Sequence, residues 1–456
     1  MLHDTPPSGL PIQENQARFR EIVQDALAQA AGLGASDAAV EISESQGLAV
    51  SVRKLSLETV EQTRDRSLGV TVFAGQRRGS ASTSDFSPNA VREAVAAAWD
   101  IARYTAEDAA AGLPDPELLA TDSPSLELHH PWLVTADQAV ELAVRAECTA
   151  QSVSRRITNS DGASVSAHEG HFVLGNSRGF LDGYAYSRHS LSVAPIAGRG
   201  AGMQRDYWYT TARDPALLAQ PEAVGRYAAE RTLSRLSARR LKTGRYPVLF
   251  EAPLAAGLLG AVVQAASGGA LYRQASFLVD SLGKQILADH IDITENPFVP
   301  GAMGSSVFDS EGVRTRLRDV VAGGVLQGYF LSTYTARKLG MASTGNAGGS
   351  HNLVLRSRLT RADDDLPAML RRMGTGLLVT ELIGHGVNYV TGDYSRGAFG
   401  YWVENGEIQY PVQEITIAGN LAEMFRQIVA VGADRYTRGA KTTGSVLIEQ
   451  MSIAGQ

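Results

Sequence analysis

Two short clusters in this sequence carry the residue types that hold metals: His168-Glu169-Gly170-His171, and Glu381 with His385 and, downstream, Asp393. Such donors are what a zinc hydrolase uses to bind its ion and activate a water. On a helix, ligands four apart stack on one face. The first pair is three apart, with glycine between and strand-like surroundings, a spacing that turns positions 168 and 171 to opposite faces of a strand. Exposed strand histidines are therefore the plainer expectation, with metal binding the alternative. Glu381 and His385 have helical spacing, yet LLVTELIGHGVNYVTGDYS is rich in glycine and β-branched residues. A loop or strand end is expected there, again with a metal as the alternative. The single cysteine, Cys148, lies in ELAVRAECTAQSV. A catalytic thiol needs a base and exposure, and a small apolar filler is the expected role. No nucleophile elbow and no phosphate-binding loop is present.

Arginines offer another chemistry. Arg314, Arg316 and Arg318 alternate with Val313, Thr315 and Leu317. On a strand their guanidinium groups would share a face and could grip carboxylates of a peptide or partner chain; a solvated face is the competing expectation. Arg356, Arg358 and Arg361 invite the same two readings. Arg235, Arg239, Arg240, Lys242 and Arg245 gather where a helix should end, which the helix dipole explains. The run Ser343 to Ser350 is rich in glycine, so it either admits a ligand backbone or simply turns.

The elements that must position these groups follow from periodicity. Phe19, Ile22, Val23, Ala26, Leu27 and Ala30 have helical spacing, closed by glycines near 32 and 34. AAVEIS, LAVSVRK, LETVEQTR and LGVTVFAG each alternate with period two, predicting an antiparallel meander of separate strands. Ser87-Pro88 caps a helix through NAVREAVAAAWDIARY, and Thr135 caps another to about Val153. A strand-rich stretch follows, then a helix over about 221–241. From Tyr246, the strand YPVLFEA leads into the small-residue helix AAGLLGAVVQAASGG, and further helices are expected near 332–339, 366–373 and 421–429. The fold class is α+β: a flexible tail over 1–14, an N-terminal α/β-meander domain over 15–112, a linker over 113–134, a central helix–strands–helix domain over 135–243, and a larger strand-rich C-terminal domain over 244–456, much of its sheet antiparallel.

Bulk properties narrow the function classes. The chain has 456 residues and a net charge of −6, so no global field draws it to nucleic acid or an anionic membrane. One cysteine forbids an internal disulfide and fits a reducing cytoplasm. The start, MLHDTPPSGLPIQENQ, lacks a signal-peptide pattern, and no apolar run reaches the roughly 18 residues of a membrane span.

Three long stretches carry a resemblance: MGSSVFDSEGVRTRLRDVVAGGVLQGYFLSTYTARKLGM from Met303, TGNAGGSHN from Thr344, and TGLLVTELIGHGVNYVTGDYSRGAFGYWVENGEIQYPVQEITIAGNL from Thr375. In these the chain resembles the PmbA/TldD family, in its PmbA (TldE) branch, and the order of elements extends the likeness over nearly its whole length. The resemblance implies a cytoplasmic two-subunit metalloprotease acting on small unstructured peptides, in peptide-antibiotic maturation and antitoxin degradation. A TldD-type subunit holds zinc with a His-Glu-x-x-x-His helix and a later cysteine; the PmbA-type subunit is not expected to bind metal. Laid on this sequence, the first histidine falls on Gly260, the glutamate on Ala261 and the second histidine on Gln264 or Ala265, while the sulfur ligand falls near Tyr401 or Trp402. The resemblance thus implies no catalytic residue and no cofactor in this chain, zinc in a TldD-type partner of a heterodimer, and a homodimer as a possibility when the chain is alone. Arg314, Arg316, Arg318, Asn346, His351, Glu381, His385 and Asp393 stand as candidate substrate or partner contacts. Two other functions remain open: a self-sufficient metallopeptidase with a non-standard site, and a non-proteolytic regulator tied to DNA gyrase by an older family name.

Overall fold

The computed structural model describes residues 9–455, which form two compact units. The first comprises the chain to Leu236 with Pro300–Ala302 and Ser310–Arg314; the second takes Ser237–Val299, Met303–Asp309 and Thr315 onward.

The first unit opens with α1 (Ile12–Gly32), followed by β1 (Asp37–Arg53), β2 (Ser56–Ala74), β3 (Arg77–Thr83) and α2 (Pro88–Tyr104). Then come α3 (Ala136–Ser152), β4 (Ile157–Asn176), β5 (Leu181–Asp182), β6 (Ala185–Ala197), β7 (Gln204–Arg205), β8 (Trp208–Ala212) and α4 (Pro221–Ser234). One antiparallel sheet runs β3-β2-β1-β4-β6-β7, so the N-terminal and central segments share a sheet although they read as separate domains. The expected tail over 1–14 lies partly outside the described residues; within them, Leu10 is buried and α1 already begins at Ile12. The segment 113–134 has one short 3-10 turn, yet it buries Leu113, Leu119, Leu126 and Leu128.

The expected four short strands are two long ones. AAVEIS and LAVSVRK merge into β1, and LETVEQTR and LGVTVFAG into β2, and the two pair antiparallel from Asp37–Phe73 to Arg53–Ser56, through the polar stretches, with one register shift at Ser51/Val52. Only Lys54 and Leu55, with φ of 54° and 62°, make the turn. Fully buried Glu147 on α3 accepts both of their backbone N–H groups, at 3.0 and 2.6 Å. Ser87 and Thr135 cap α2 and α3 as their residue types dictate, the latter with a Gln138 capping box. α3 meets α4 closely: a Cβ at Gly225 would lie 2.2 Å from the Ala146 carbonyl oxygen. α4 stops at Ser234 rather than near 241, and Ser237 has a positive φ of 65°. Cys148 is exposed on α3, so it is not the expected filler.

The second unit contains β9 (Gly244–Phe250), α5 (Ala252–Ala265), α6 (Gly268–Tyr272), β10 (Ile291–Asn296), β11 (Arg318–Ala322), β12 (Val325–Leu326), α7 (Thr333–Lys338) and β13 (Asn352–Ser357). It continues with α8 (Leu366–Met373), β14 (Gly376–Ile383), β15 (Asp393–Glu404), β16 (Glu407–Asn420), α9 (Leu421–Arg426), β17 (Ile428–Val431), β18 (Tyr436–Arg438), β19 (Lys441–Thr443) and β20 (Val446–Ala454). Two six-stranded sheets result, β12-β11-β10-β13-β19-β18 and β16-β15-β14-β9-β20-β17. Most neighbours are antiparallel; β9–β14 and β13–β19 are parallel. A large apolar core gathers α5 with both sheets. Among the described residues no helix is long and apolar enough to cross a membrane.

Candidate functional site

α5 follows β9 directly, as a zinc helix would. Pro253 occupies its first turn, and Ala252, Ala255, Leu258, Leu259, Ala261, Val262 and Ala265 are buried. Gly257 and Gln264 are exposed and Gly260 half-buried, so these three mark the outward stripe. Ala261 and Ala265 offer only methyl groups, both turned into the core. Gly260 has no side chain, and a Cβ built there would meet the Lys441 Cε at 3.8 Å. Lys441 is half-buried, and burial holds its ammonium below the ordinary lysine range. Trp402 packs edge-on against Tyr246 and donates from Nε1 to Glu404 at 2.8 Å. Catalytic zinc takes about three protein donors and leaves a position for water. Of the aligned positions only Gln264 carries a side-chain heteroatom, and an amide is a poor zinc ligand. The residues here do not fit the metal.

The arginine trio does not share a strand face. β11 starts only at Arg318, and Arg314 belongs to the first unit, where its backbone N–H bonds the Leu118 carbonyl and its guanidinium the Glu117 carbonyl. Arg316 is exposed. Arg318 instead enters a closed network with Asn346 and His351 around Glu295, a residue absent from the candidate set. Its Nε donates to Glu295 Oε2 at 2.7 Å, its Nη1 to the Tyr329 carbonyl at 2.9 Å and its Nη2 to Asn346 Oδ1 at 3.0 Å. Asn346 Nδ2 and the His351 backbone N–H donate to Glu295 Oε1 at 2.9 and 2.7 Å, and His351 Nδ1 lies 3.1 Å from the same oxygen. Burial pushes the Glu295 carboxyl up, but the His351 hydrogen bonds and the Arg318 charge outweigh it and hold it at about 2. The strand I-D-I-T-E-N carried the missed signal: alternation puts Glu295 inward with Ile291 and Ile293.

Glu381, His385 and Asp393 do not share a helix. Glu381 lies on β14, His385 is exposed in the turn beyond Gly384, whose φ is 78°, and Asp393 begins β15 and accepts from Thr391 at 2.7 Å. Among the described residues no group of three or more His, Cys, Asp or Glu side chains is arranged to hold a metal.

His168 and His171 lie on β4, but neither is exposed. His168 is half-buried and stacks on Tyr186; His171 is fully buried and stacks on Phe19 of α1 with ring centroids 4.8 Å apart. The cause is visible in β1. Its even positions face inward: Ala38, Val40 and Ile42 pack under α1, and Leu48, Val50 and Val52 under α3. Between these two apolar stretches come Glu44 and Gln46. Register extends them into two cross-strand rows, Arg66–Glu44–His171 and Arg64–Gln46–Glu169–Ser187. A polar belt therefore crosses the sheet between two cores.

In that belt, Glu44 accepts from Arg64 at 2.9 and 2.7 Å, from Arg66 at 3.0 Å and from Asn15 at 2.9 Å. Burial raises its pKa, but the two arginines outweigh this and leave it lowered. Glu169 accepts from the Leu10 backbone N–H at 3.0 Å and Gln46 at 2.6 Å, and bonds His129 Nε2 at 2.9 Å. Beside Glu169 opens a cavity of about 350 Å³, walled by Leu48, Trp132, Val134 and Ala167 and by Gln62 and His189. His189 is 1% exposed.

Three models of the family match this chain: PmbA/TldA metallopeptidase domain 1 over residues 38–102, the central domain over 129–236 and the C-terminal domain over 243–455. Metalloprotease PmbA of Escherichia coli O157:H7 is 52% identical over 440 residues, 96% of this chain and 97% of that one. The chain belongs to the PmbA/TldD family. Its fold agrees: a Bacteroides thetaiotaomicron crystal structure, described as a candidate modulator of DNA gyrase, superposes with TM-score 0.90 at 27% identity, covering 96% of this chain and 99% of that one. TldE from Thermococcus kodakarensis superposes with TM-score 0.83 at 20% identity, covering 95% and 100%.

The family's domain boundaries fall at informative places. The C-terminal model begins one residue before β9, so it takes in α5 and the Glu295 network entire. The polar belt is shared: Glu44 and Gln46 lie in the first family domain, His129, Glu169 and His189 in the central one. In this PmbA/TldD chain the cavity is thus a product of the joint sheet, which no single domain contains.

Proposed function

We propose that this chain is the metal-free subunit of a cytoplasmic TldD/TldE-type metalloprotease, paired as a heterodimer with a TldD-type zinc subunit and acting on small unstructured peptides. Peptide-antibiotic maturation and antitoxin degradation are the substrate roles this reading assigns. The observation that carries it is α5: glycine and buried alanines stand where a zinc helix needs imidazoles and a carboxylate. The partner would supply the metal and its activated water. This chain would contribute binding surface. β2 suits that task, because β3 pairs with Leu68–Ala74, leaving the outer edge of residues 56–67 without a strand partner among the described residues. Strand addition to such an edge binds extended peptides through backbone hydrogen bonds with little sequence preference.

The experiment is to purify the chain alone and with a TldD-type subunit, and to measure zinc content and cleavage of an unstructured peptide. The expected result is no stoichiometric zinc and no cleavage by the chain alone, with cleavage restored in the pair. Robust cleavage by the isolated chain, or about one tightly held zinc per chain, would instead support a self-sufficient metallopeptidase, a reading favoured by the name of the 52%-identical relative. The name of the Bacteroides structure favours a gyrase-directed regulator; altered gyrase sensitivity with intact peptide processing in a deletion strain would support that one.

A further inference from the structure

In the second unit a half-buried arginine stands without a carboxylate to answer it. Arg396 lies on β15 between Tyr394 and Ala398, and strand alternation turns all three to one face, where Tyr394 and Ala398 belong to the large core. Its cross-strand partner on β16 is the apolar Ile417, and β14 pairs no further along than Ile383 with Gly397. Arg396 is half-buried, and its Nε is shut away from solvent with no hydrogen-bond partner among the described residues. Elsewhere the chain meets such guanidinium groups with acids: Arg178 with Asp37, Arg235 with Asp206 and Arg318 with Glu295. Among the described residues Arg396 forms no ion pair, and the groups it acts on are the phenols of Tyr389 and Tyr394. Neither phenol neutralises it. Burial raises the pKa of both, that of Tyr394 to about 12, against the pull of the Arg396 charge, so both stay uncharged at neutral pH.

We infer that Arg396 anchors the carboxylate of a bound peptide, either a free C-terminus or an aspartate or glutamate side chain. A charge drawn partly out of water without a partner is unfavourable, and an arriving anion relieves that cost. The planar guanidinium fork matches a carboxylate with two parallel hydrogen bonds. Nε is the nitrogen that solvent does not reach, so the contact is made by the terminal amino groups Nη1 and Nη2. A single cation suits a carboxylate better than a phosphate group, which carries nearly two charges. The identity of the ligand as a peptide rests on the function proposed above; the anion site itself does not.

The test uses the full-length chain alone, so its outcome is separate from cleavage by any pair. Acetyl-trialanine is titrated as the free acid, as the C-terminal amide, and as an amide with glutamate in the middle position, and affinity is read by calorimetry. The free acid or the glutamyl amide should bind at least ~10-fold more tightly than the neutral amide, a factor equal to about 1.4 kcal/mol and within what a hydrogen bond to a charged group supplies. Which of the two gains identifies the source of the carboxylate. Arg396→Gln should remove the preference. Arg396→Lys, which keeps the charge and loses the fork, should retain only part of it. Thermal melts establish that each variant is folded. Absence of binding, equal affinity for all three peptides, or an undiminished preference in folded Arg396→Gln overturns the assignment; should that variant not fold, an undiminished preference in Arg396→Lys does so.

Discussion

His351 and His171 are both buried histidines beside a buried glutamate, and they differ in what their nitrogens find. His351 Nδ1 lies 3.1 Å from Glu295, inside a network that also engages Arg318 and Asn346. His171 Nε2 lies 3.8 Å from Glu44, beyond hydrogen-bond range, and neither of its ring nitrogens has a hydrogen-bond partner among the described residues. His189, in the same belt, has no hydrogen-bond partner for Nδ1 among the described residues. A buried polar group whose every demand is met specifies structure; one left open keeps free energy available for something else to release. By that criterion the Glu295 network is architecture despite holding three of the candidate contact residues, and the belt of the first unit is the open one.

The sharpest way to break this comparison is Glu295→Ala. It strands a guanidinium, an amide and a backbone N–H that share one carboxylate, and removing one partner of a buried pair costs about 3–5 kcal/mol. Denaturant midpoints at neutral pH would show it; a loss under about 1 kcal/mol would mean the network is not holding the second unit. The same carboxylate sets an acid limit. Its folded pKa of about 2 lies below the ordinary 4.5, so its contribution is complete above pH 4.5 and is lost as pH falls from there toward 2. That shift is worth about 3 kcal/mol. Glu295→Gln should flatten the stability–pH curve across this window, and an unchanged curve would contradict the network as drawn.

How legible was this in the sequence? Caps and periods were: Ser87, Thr135, α5 and α8 follow from local chemistry. The split of β1 and β2 into four strands failed because Ser43 to Gly47 looks like a turn; it is polar because the sheet's inner face is polar there, between two helices whose placement no local pattern reveals. The arginine trio failed for a related reason. Alternation over 313–318 implies a strand, but Val313 and Arg314 are drawn away by backbone bonds to residues 118 and 119, nearly two hundred positions earlier. His168 and His171 were correctly placed on a strand and wrongly judged exposed, since burial by Phe19 and Tyr186 is tertiary. Residues Glu44, His129 and His189 carried no motif at all.

A smaller effect sharpens the contrast within the first unit. The Glu147 carboxylate accepts from two backbone amides, those of Lys54 and Leu55, both in the left-handed region. Glu147→Ala should cost about 1–3 kcal/mol and speed amide exchange at the β1–β2 tip, while leaving α3 protected. Uniform loss of protection across the unit would show that the turn is not its point of action.

The smallest change should fall on the open histidine itself. Burial lowers the His171 pKa, against the upward pull of Glu44 and Glu169, so the unfolded chain binds the proton more readily than the folded one. The sign is then opposite in origin to that of Glu295 but the same in direction: stability is whole above the unfolded value of 6.5 and declines as pH drops through it. His171→Phe removes both unmet nitrogens and keeps a ring against Phe19, so at neutral pH it should change stability by less than about 1 kcal/mol, in either direction. Glu44 retains Arg64, Arg66 and Asn15. Below pH 6.5 the variant should lose stability less steeply than the unaltered chain, with His168 and His189, shifted the same way, supplying the slope that remains. A loss of several kcal/mol at neutral pH would mean that His171 makes a bond the belt depends on, and the line drawn between a closed network and an open one would fall.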